Sequence, residues 1–416
     1  IEKYFFGDWG LGIGLKMNYK IIKEIIENFY PIIIILFLFI FRFISFIQIL
    51  LGYLIYCVYI YFTTKTYLYY IKTKFNNELL KNCPSIRDAN FKQYFLLPFT
   101  FCQFILFQMT NQRLNQSNSK QIIFQEEKVD EKGTSIFWAS HEKALIQHIN
   151  PVLLILPGIT GRYYDPYVKN IISEGIKNNF DVVVFQMRTL SNIMKLEENK
   201  NVDFYEDLDN SLKKIKEKNN NKLYGIGYSY GANLLTGYLG SINLKTNYID
   251  GGVAVSNPFD LYMSQRIGQE TLYESLICFF ERKNYINAVN SINKNNNIID
   301  VNILESSYSV KIFDKEFFGK ILGYKNADDY YRGISSAKYV KYTNKPLLVI
   351  HSKDDPICSF KGIPFDDVCE NKNIIFIATE KGGHFCYIEN EKDFSFSGRL
   401  WSFKPTLEFL NYLKNN

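Results

Sequence analysis

Cysteine and one-sided charge are both sparse in this sequence, and each scarcity narrows what the chain can be. Seven cysteines occur in 416 residues: Cys57, Cys83, Cys102, Cys278, Cys358, Cys369 and Cys386. Their number is odd, the chain is long and no pair has Cys-x-x-Cys spacing. This argues against a disulfide framework and the common zinc patterns. The net charge of +6 comes from 48 basic against 42 acidic residues. There is no long basic block, so a nucleic-acid interface has no electrostatic footprint. A mildly basic surface is still compatible with an anionic membrane. No internal repeat is visible. A single Asn-x-Ser triplet, Asn115-Gln116-Ser117, says little, because such triplets are common by chance. The chain opens on Ile1, so either a start lies upstream or Met17 is the start and residues 1–16 are not native.

Apolar side chains, by contrast, are plentiful, at 47 % of the sequence. That is enough for a sizeable core, and the length predicts one large domain with an appendage, or two domains. After a polar, amphipathic segment (1–29), residues 30–62 read YPIIIILFLFIFRFISFIQILLGYLIYCVYIYF, with Arg42 the one charge. As a helix this run would be roughly 50 Å long, against roughly 30 Å for a bilayer core. Residues 43–62 alone match one span, with Arg42 reaching the interface. The expectation is a single-pass membrane anchor over 30–62. The run is too long for a signal peptide and no small-residue cleavage site follows. Lys16, Lys20 and Lys23 on one side and Lys65, Lys72, Lys74 and Lys81 on the other leave its orientation open. A membrane-proximal region (63–119) follows. Its second apolar patch, FLLPFTFCQFILFQM (95–109), is too short to span and reads equally as core or as a segment dipping into the membrane face.

From residue 120 the pattern changes. QIIFQEEKV (121–129) and TSIFWAS (134–140) predict a β-hairpin. VLLIL (152–156), DVVVF (181–185), KLYGIG (222–227), GGVAV (251–255), PLLVI (346–350) and IIFIA (374–378) are short aliphatic runs, most of them separated by helix-length segments such as 205–218. Continuous apolar strands of this kind suit a parallel sheet covered on both faces. Their alternation with helices predicts a doubly wound α/β domain over 120–416. The ninety or so residues before PLLVI exceed any crossover, so 261–340 is expected to be an inserted helical cap.

In such sheets ligands bind beyond the carboxyl ends of the strands, and the chemistry-bearing residues gather there. Gly227-Tyr228-Ser229-Tyr230-Gly231 fits G-x-S-x-G between a strand and a helix, the setting that puts a serine on a sharp turn. The plainer reading is a serine in a glycine-rich turn. A nucleophilic serine needs a base and an orienting acid. Only four histidines exist: His141 and His148 precede the first long strand, and His351 reads as strand-end packing. That leaves His384, after the last strand, on a loop loosened by Gly382 and Gly383. For the acid, Asp354 and Asp355 end the PLLVI strand; Asp355 is preferred and Asp260 is a third choice. For an oxyanion, backbone N–H groups of Tyr230 and of Ile159, in LPGITG (156–161), are the expected donors. Loop, serine, acid and histidine thus follow one another in the order that acyl-transfer chemistry on such a sheet requires, which favours the nucleophile reading of Ser229.

At this point the chain resembles the membrane-anchored α/β-hydrolase-domain proteins of types one to three, with their plant embryogenesis-associated and yeast medium-chain ethyl ester synthase/esterase relatives. The residues that carry the resemblance are LPGITG, GYSYGANLLTGYLG (227–240), VSNPFDL (255–261), LGYKNADDYYRGISS (322–336), SKDDPI (352–357) and KGGH (381–384), within a similarity running from about Tyr94 to the C-terminus. One departure is Gln186-Met187-Arg188-Thr189, where the family usually carries an Asn-x-Arg-Gly turn; Arg188 is kept, and the local loop shape is put in question. The resemblance implies an α/β-hydrolase fold with a mostly parallel central sheet, helices on both faces, an inserted cap and an N-terminal transmembrane helix. It implies hydrolysis of lipid carboxylic esters (acylglycerols, phospholipids or medium-chain acyl esters) at a membrane, with an endomembrane the expectation and the organelle open. Ser229 would be the nucleophile, His384 the base and Asp355 its orienting acid, with no metal or organic cofactor. Acyl transfer to an alcohol, a protease or thioesterase on the same fold, and a catalytically silent membrane receptor or scaffold are the competing readings.

Overall fold

The computed structural model of the chain describes residues 32, 34–39, 46–104, 106–107, 122–141, 148–191, 194–196, 201–241, 246–269, 271–294, 298–388 and 400–416. The expectations for 1–29, for Asn115 and for Arg42 lie outside the described residues.

Nine strands build one sheet: β1 (Thr66–Tyr70), β2 (Ile123–Lys128), β3 (Ser135–Ser140), β4 (Val152–Leu156), β5 (Asp181–Gln186), β6 (Leu223–Tyr228), β7 (Gly251–Val255), β8 (Leu347–Ser352) and β9 (Ile374–Thr379). Their order is β1-β9-β8-β7-β6-β4-β5-β3-β2. The six strands from β5 across to β9 run parallel, while β1 pairs antiparallel with β9, β3 with β5 and β2 with β3. The aliphatic runs become strands because both faces are covered. Val152, Leu154 and Leu156 point into one core cluster, Leu153 and Ile155 into the other, and all five are buried. Burying each such side chain is worth about 1.5–3 kcal/mol.

The helices are α1 (Phe46–Thr63), α2 (Lys74–Asn82), α3 (Pro166–Lys177), α4 (Phe204–Lys218), α5 (Tyr230–Leu239), α6 (Leu261–Gly268), α7 (Leu272–Asn293) and, at the C-terminus, α8 (Phe403–Asn415), of which α3 packs on β5, α5 on β6 and β7, and α8 on β7. α4 starts where the Asp203 side chain accepts the N–H groups of Tyr205 and Glu206, a standard N-cap. Between β7 and β8 the described residues form a series of helices from α6 to a 3-10 turn at Ser336–Tyr342, among them a π-helical turn at Lys315–Gly319.

The sheet takes in Thr66–Tyr70, which the sequence pattern places in the membrane-proximal region before residue 120. Thr66 pairs with Thr379 and Tyr70 with Ile375. Asn76 of α2 donates to Ile71 O and Lys372 O, and Glu408 of α8 accepts from the Ser85 N–H and hydroxyl. The edge strand TYLYY escapes a pattern reading because it is short and lies only a Thr-Thr-Lys step (63–65) beyond the apolar run, so it reads as that run's flank. α1 is long and apolar enough to cross a membrane, by length and composition. Phe46, Ile47, Leu51 and Ile55 are exposed along it, and Cys57 is its buried residue.

Candidate active site

Ser229 sits where β6 turns into α5, with φ 53° and ψ −120°. A non-glycine residue rarely holds a positive φ, and such strain persists only when the surroundings enforce it. Here they do. A Cβ at Gly227 would lie 2.5 Å from Ala232 Cα, and one at Gly231 would lie 2.1 Å from Leu156 O. The two flanking glycines let β4, the turn and the helix close on one another. The fully buried α5 starts at Tyr230, so the first N–H groups of the helix have no intrahelical acceptor and its positive end meets Ser229.

Asp354 and Asp355 follow β8 but point to different tasks. Asp355, 6 % exposed, accepts from the His384 ring, its Oδ2 lying 3.0 Å and its Oδ1 3.2 Å from Nδ1. Its Oδ1 also accepts the N–H groups of Ile357 and Cys358 at 2.9 and 2.8 Å. Burial alone would raise its pKa; the charge and hydrogen bond of His384, with His351 and the Cys358 N–H, outweigh burial and hold it below the usual carboxylate range. Asp354 instead accepts the Thr100 hydroxyl and, at 2.9 Å, the Gly383 N–H, so it fixes the histidine loop without touching the imidazole. Gly382 at φ 140° and Gly383 at φ 54° give that loop its turn.

The remaining candidates separate cleanly. Asp260 caps α6 by accepting the Met263 N–H. His351 is fully buried, donates from Nε2 to Cys358 O at 2.8 Å and is kept neutral, chiefly by burial. His148 packs edge-on against Trp138 of β3, at the opposite side of the sheet from β8 and β9, and His141 directly follows β3. Gly158 lies against Ser229, a Cβ there coming 3.5 Å from Ser229 Cβ. Next to it, Ile159 is tethered through its carbonyl, which accepts the Tyr285 hydroxyl of α7. Ser229, Ile159, Tyr230, Ile277, Pro356 and Cys358 line one cavity.

Sequence reasoning passed over Cys358. It lines the cavity together with Ser229, and its buried sulfur lies within 4.8 Å of the ligand atoms of Asp355 and His384. Burial and the Asp355 carboxylate push the thiol's pKa well up, so it is a protonated neighbour. Asp355, Cys358 and His384 have the donor chemistry for a soft divalent cation, but Asp355 and His384 spend their lone pairs and proton on each other. Among the described residues no hydrogen bond joins Ser229 Oγ to the His384 ring. The only signal for Cys358 was its place three residues after the acid. Arg188, kept where its neighbours depart from the family turn, is 5 % exposed and forms a two-pronged pair with Asp207 of α4, its Nε 2.7 Å from Oδ2.

A serine on a forced turn after a central parallel strand, with a hydrogen-bonded Asp–His pair on loops after later strands, places the chain in the α/β-hydrolase fold class. Its homologues are α/β-hydrolase-domain proteins. It is 28 % identical over 274 residues to "Embryogenesis-associated protein EMB8" of Picea glauca, covering 64 % of this chain and 59 % of that one. It is 30 % identical over 270 residues to "Monoacylglycerol lipase" of Saccharomyces cerevisiae, covering 62 % and 59 %. It is 26 % identical over 246 residues to "Phospholipase ABHD3" of Homo sapiens, covering 58 % and 59 %. The chain thus spans about six-tenths of the length of these relatives. No family model matches it.

Proposed function

We propose that this chain is a serine hydrolase of lipid carboxylic esters that works through an acyl-enzyme on Ser229. The observation that carries the reading is the buried Asp355–His384 pair clustered with Cys358, which lines the same cavity as a serine held at φ 53° between β6 and α5. Ser229 Oγ attacks the ester carbonyl while His384 Nε2 takes its proton. Asp355 holds the ring through Nδ1–H and stabilises the imidazolium. The Ile159 and Tyr230 N–H groups receive the oxyanion. His384 then protonates the leaving alcohol, water attacks the acyl-enzyme with His384 as base, and Ser229 is restored. The Ser229–His384 hydrogen bond forms as substrate fills the site, since such bonds tighten in the substrate complex. The relatives named as a monoacylglycerol lipase and a phospholipase support lipid esters as the substrate class. The exposed apolar face of α1 supports a membrane anchor that keeps the cavity near them.

The test is turnover by detergent-solubilised protein on ethyl esters, monoacylglycerol and phosphatidylcholine, beside Ser229→Ala. Wild-type turnover that the variant loses by three orders of magnitude or more supports the reading. A folded wild type inert on every ester would turn it toward a non-catalytic membrane protein.

A further inference from the structure

The cavity that Ser229 lines is apolar over much of its wall, yet two acidic residues of the cap, Glu281 of α7 and Asp314, also line it. Both are buried, Glu281 1 % and Asp314 4 % exposed. Asp314 Oδ2 accepts the Tyr331 hydroxyl at 2.7 Å, but Asp314 Oδ1 and Glu281 Oε2 have no hydrogen-bond partner. Their neighbour Glu274 differs: its Oε1 accepts from Gln265, Ser309 and the Val310 N–H. A buried acceptor without a donor is costly and calls for an explanation. Here both residues that hold such an oxygen line the cavity that contains the nucleophile.

The chemistry of an occupant follows. A hydrocarbon chain against these oxygens would leave them desolvated and unbonded, so this wall is wrong for the acyl half of an ester. An anionic phosphodiester would meet two carboxyls and be repelled. Burial, reinforced by Asp314 and Glu274, raises the Glu281 pKa well above the usual carboxylate range, and burial lifts Asp314 to about 7. Near neutrality the pair therefore keeps a proton, which makes it a poorer match for a fixed cation than for neutral hydroxyls, to which it both donates and accepts. We propose that Glu281 and Asp314 form a hydroxyl-binding subsite for the alcohol half of a neutral polyol monoester, of which a glyceryl ester is the simplest. This deepens the acyl-enzyme reading and rests on it for the direction in which the ester lies. The π-helical turn that begins directly after Asp314 agrees with a functional use of this stretch, since such turns often occur at functional sites.

Binding tests the subsite without catalysis. Full-length Ser229→Ala protein in nanodiscs, with empty nanodiscs as the blank, is titrated with 1-O-octylglycerol, with its di-O-methyl counterpart and with octylphosphocholine. The expected result is roughly tenfold tighter binding of the diol than of the capped ether. Glu281→Leu in the same background should bring that ratio close to one without weakening the capped ether. Asp314→Asn, which keeps an acceptor for Tyr331, should shrink the ratio in the same direction and covers the case in which Glu281→Leu does not fold. A ratio near one in Ser229→Ala itself, a ratio that both cap variants leave unchanged, or tighter binding of octylphosphocholine than of the diol overturns the proposal. The background has no nucleophile, so these outcomes are independent of whether Ser229 is the catalytic group.

Discussion

Asp354 and Asp355 differ only in which way their side chains leave the same turn, and the two should separate sharply under mutation. Asp355→Asn removes the acceptor that orients His384 Nδ1–H and should lower kcat by about 10³–10⁴-fold. Asp354→Asn keeps one amide oxygen for the Gly383 N–H and turns its NH2 toward the Thr100 hydroxyl, which can accept as well as donate, so its loss should stay within about tenfold. Parallel steady-state kinetics on one ester check the pair, and equal losses would contradict the assignment. In the cap the sign of a second effect is fixed by burial. Asp314 has its pKa raised to about 7 in the folded state, above the roughly 3.9 of an unfolded aspartate. It then binds more protons folded than unfolded between those values, so its contribution falls as pH rises from about 4 to about 7. Asp314→Asn should therefore change from neutral or destabilising near pH 4 to relatively stabilising near pH 8. Melting temperatures of both proteins across that range read the change; a difference independent of pH would count against it.

Among the elements, the sheet was largely readable from sequence. Six parallel strands are aliphatic on both faces, and an apolar run bounded by turn residues has few other fates. The site was readable where its residues follow strand ends: Ser229 after β6, Asp355 after β8, His384 after β9. Edge strand β1 was not, because TYLYY is short and reads as the flank of the apolar run that ends at Phe62. Nor were Glu281 and Asp314, since residues on separate cap helices carry no spacing that reports their meeting. Asp260 had looked like a possible acid because it follows a strand, but it is spent capping α6. The departure at Gln186-Met187-Arg188-Thr189 also becomes intelligible at this scale. Arg188 reaches across to Asp207 on α4, and Gln186, which stands where the family usually has Asn, accepts the Tyr163 N–H through its Oε1. Burial lifts Asp207 to about 6 in spite of the arginine's pull. Arg188→Ala leaves a buried carboxylate unpaired and should cost about 3–5 kcal/mol. Denaturant unfolding measures it, and a loss under 1 kcal/mol would mean the pair is dispensable.

For the molecule as a whole, the apolar helix and the site are joined by short steps. Tyr53 of α1 donates to Leu96 O and Tyr56 stacks on Phe99. The next residue, Thr100, hydrogen-bonds Asp354, which in turn holds Gly383 beside His384. Phe101 and Phe104 pack on Tyr273 of the cap, and Phe107 on Phe385, so the 95–109 patch serves as a bridge from α1 to the cap and the histidine loop. On the proposed reading of α1 as a membrane anchor, this attachment would hold the cavity close to the membrane face. Replacing Leu51 and Ile55, both exposed on α1, with aspartate should move the protein out of the floating fraction in a liposome flotation assay. Unchanged flotation would show that α1 is not what binds the membrane.

The central claim is that Ser229 is the residue that becomes acylated. The direct measurement is to treat the solubilised protein with a fluorophosphonate, digest it and locate the adduct by mass spectrometry. The account predicts one stoichiometric adduct on Ser229, abolished in Ser229→Ala and slowed by Asp355→Asn. An adduct on another residue, or none on a folded protein that still hydrolyses esters, would contradict it.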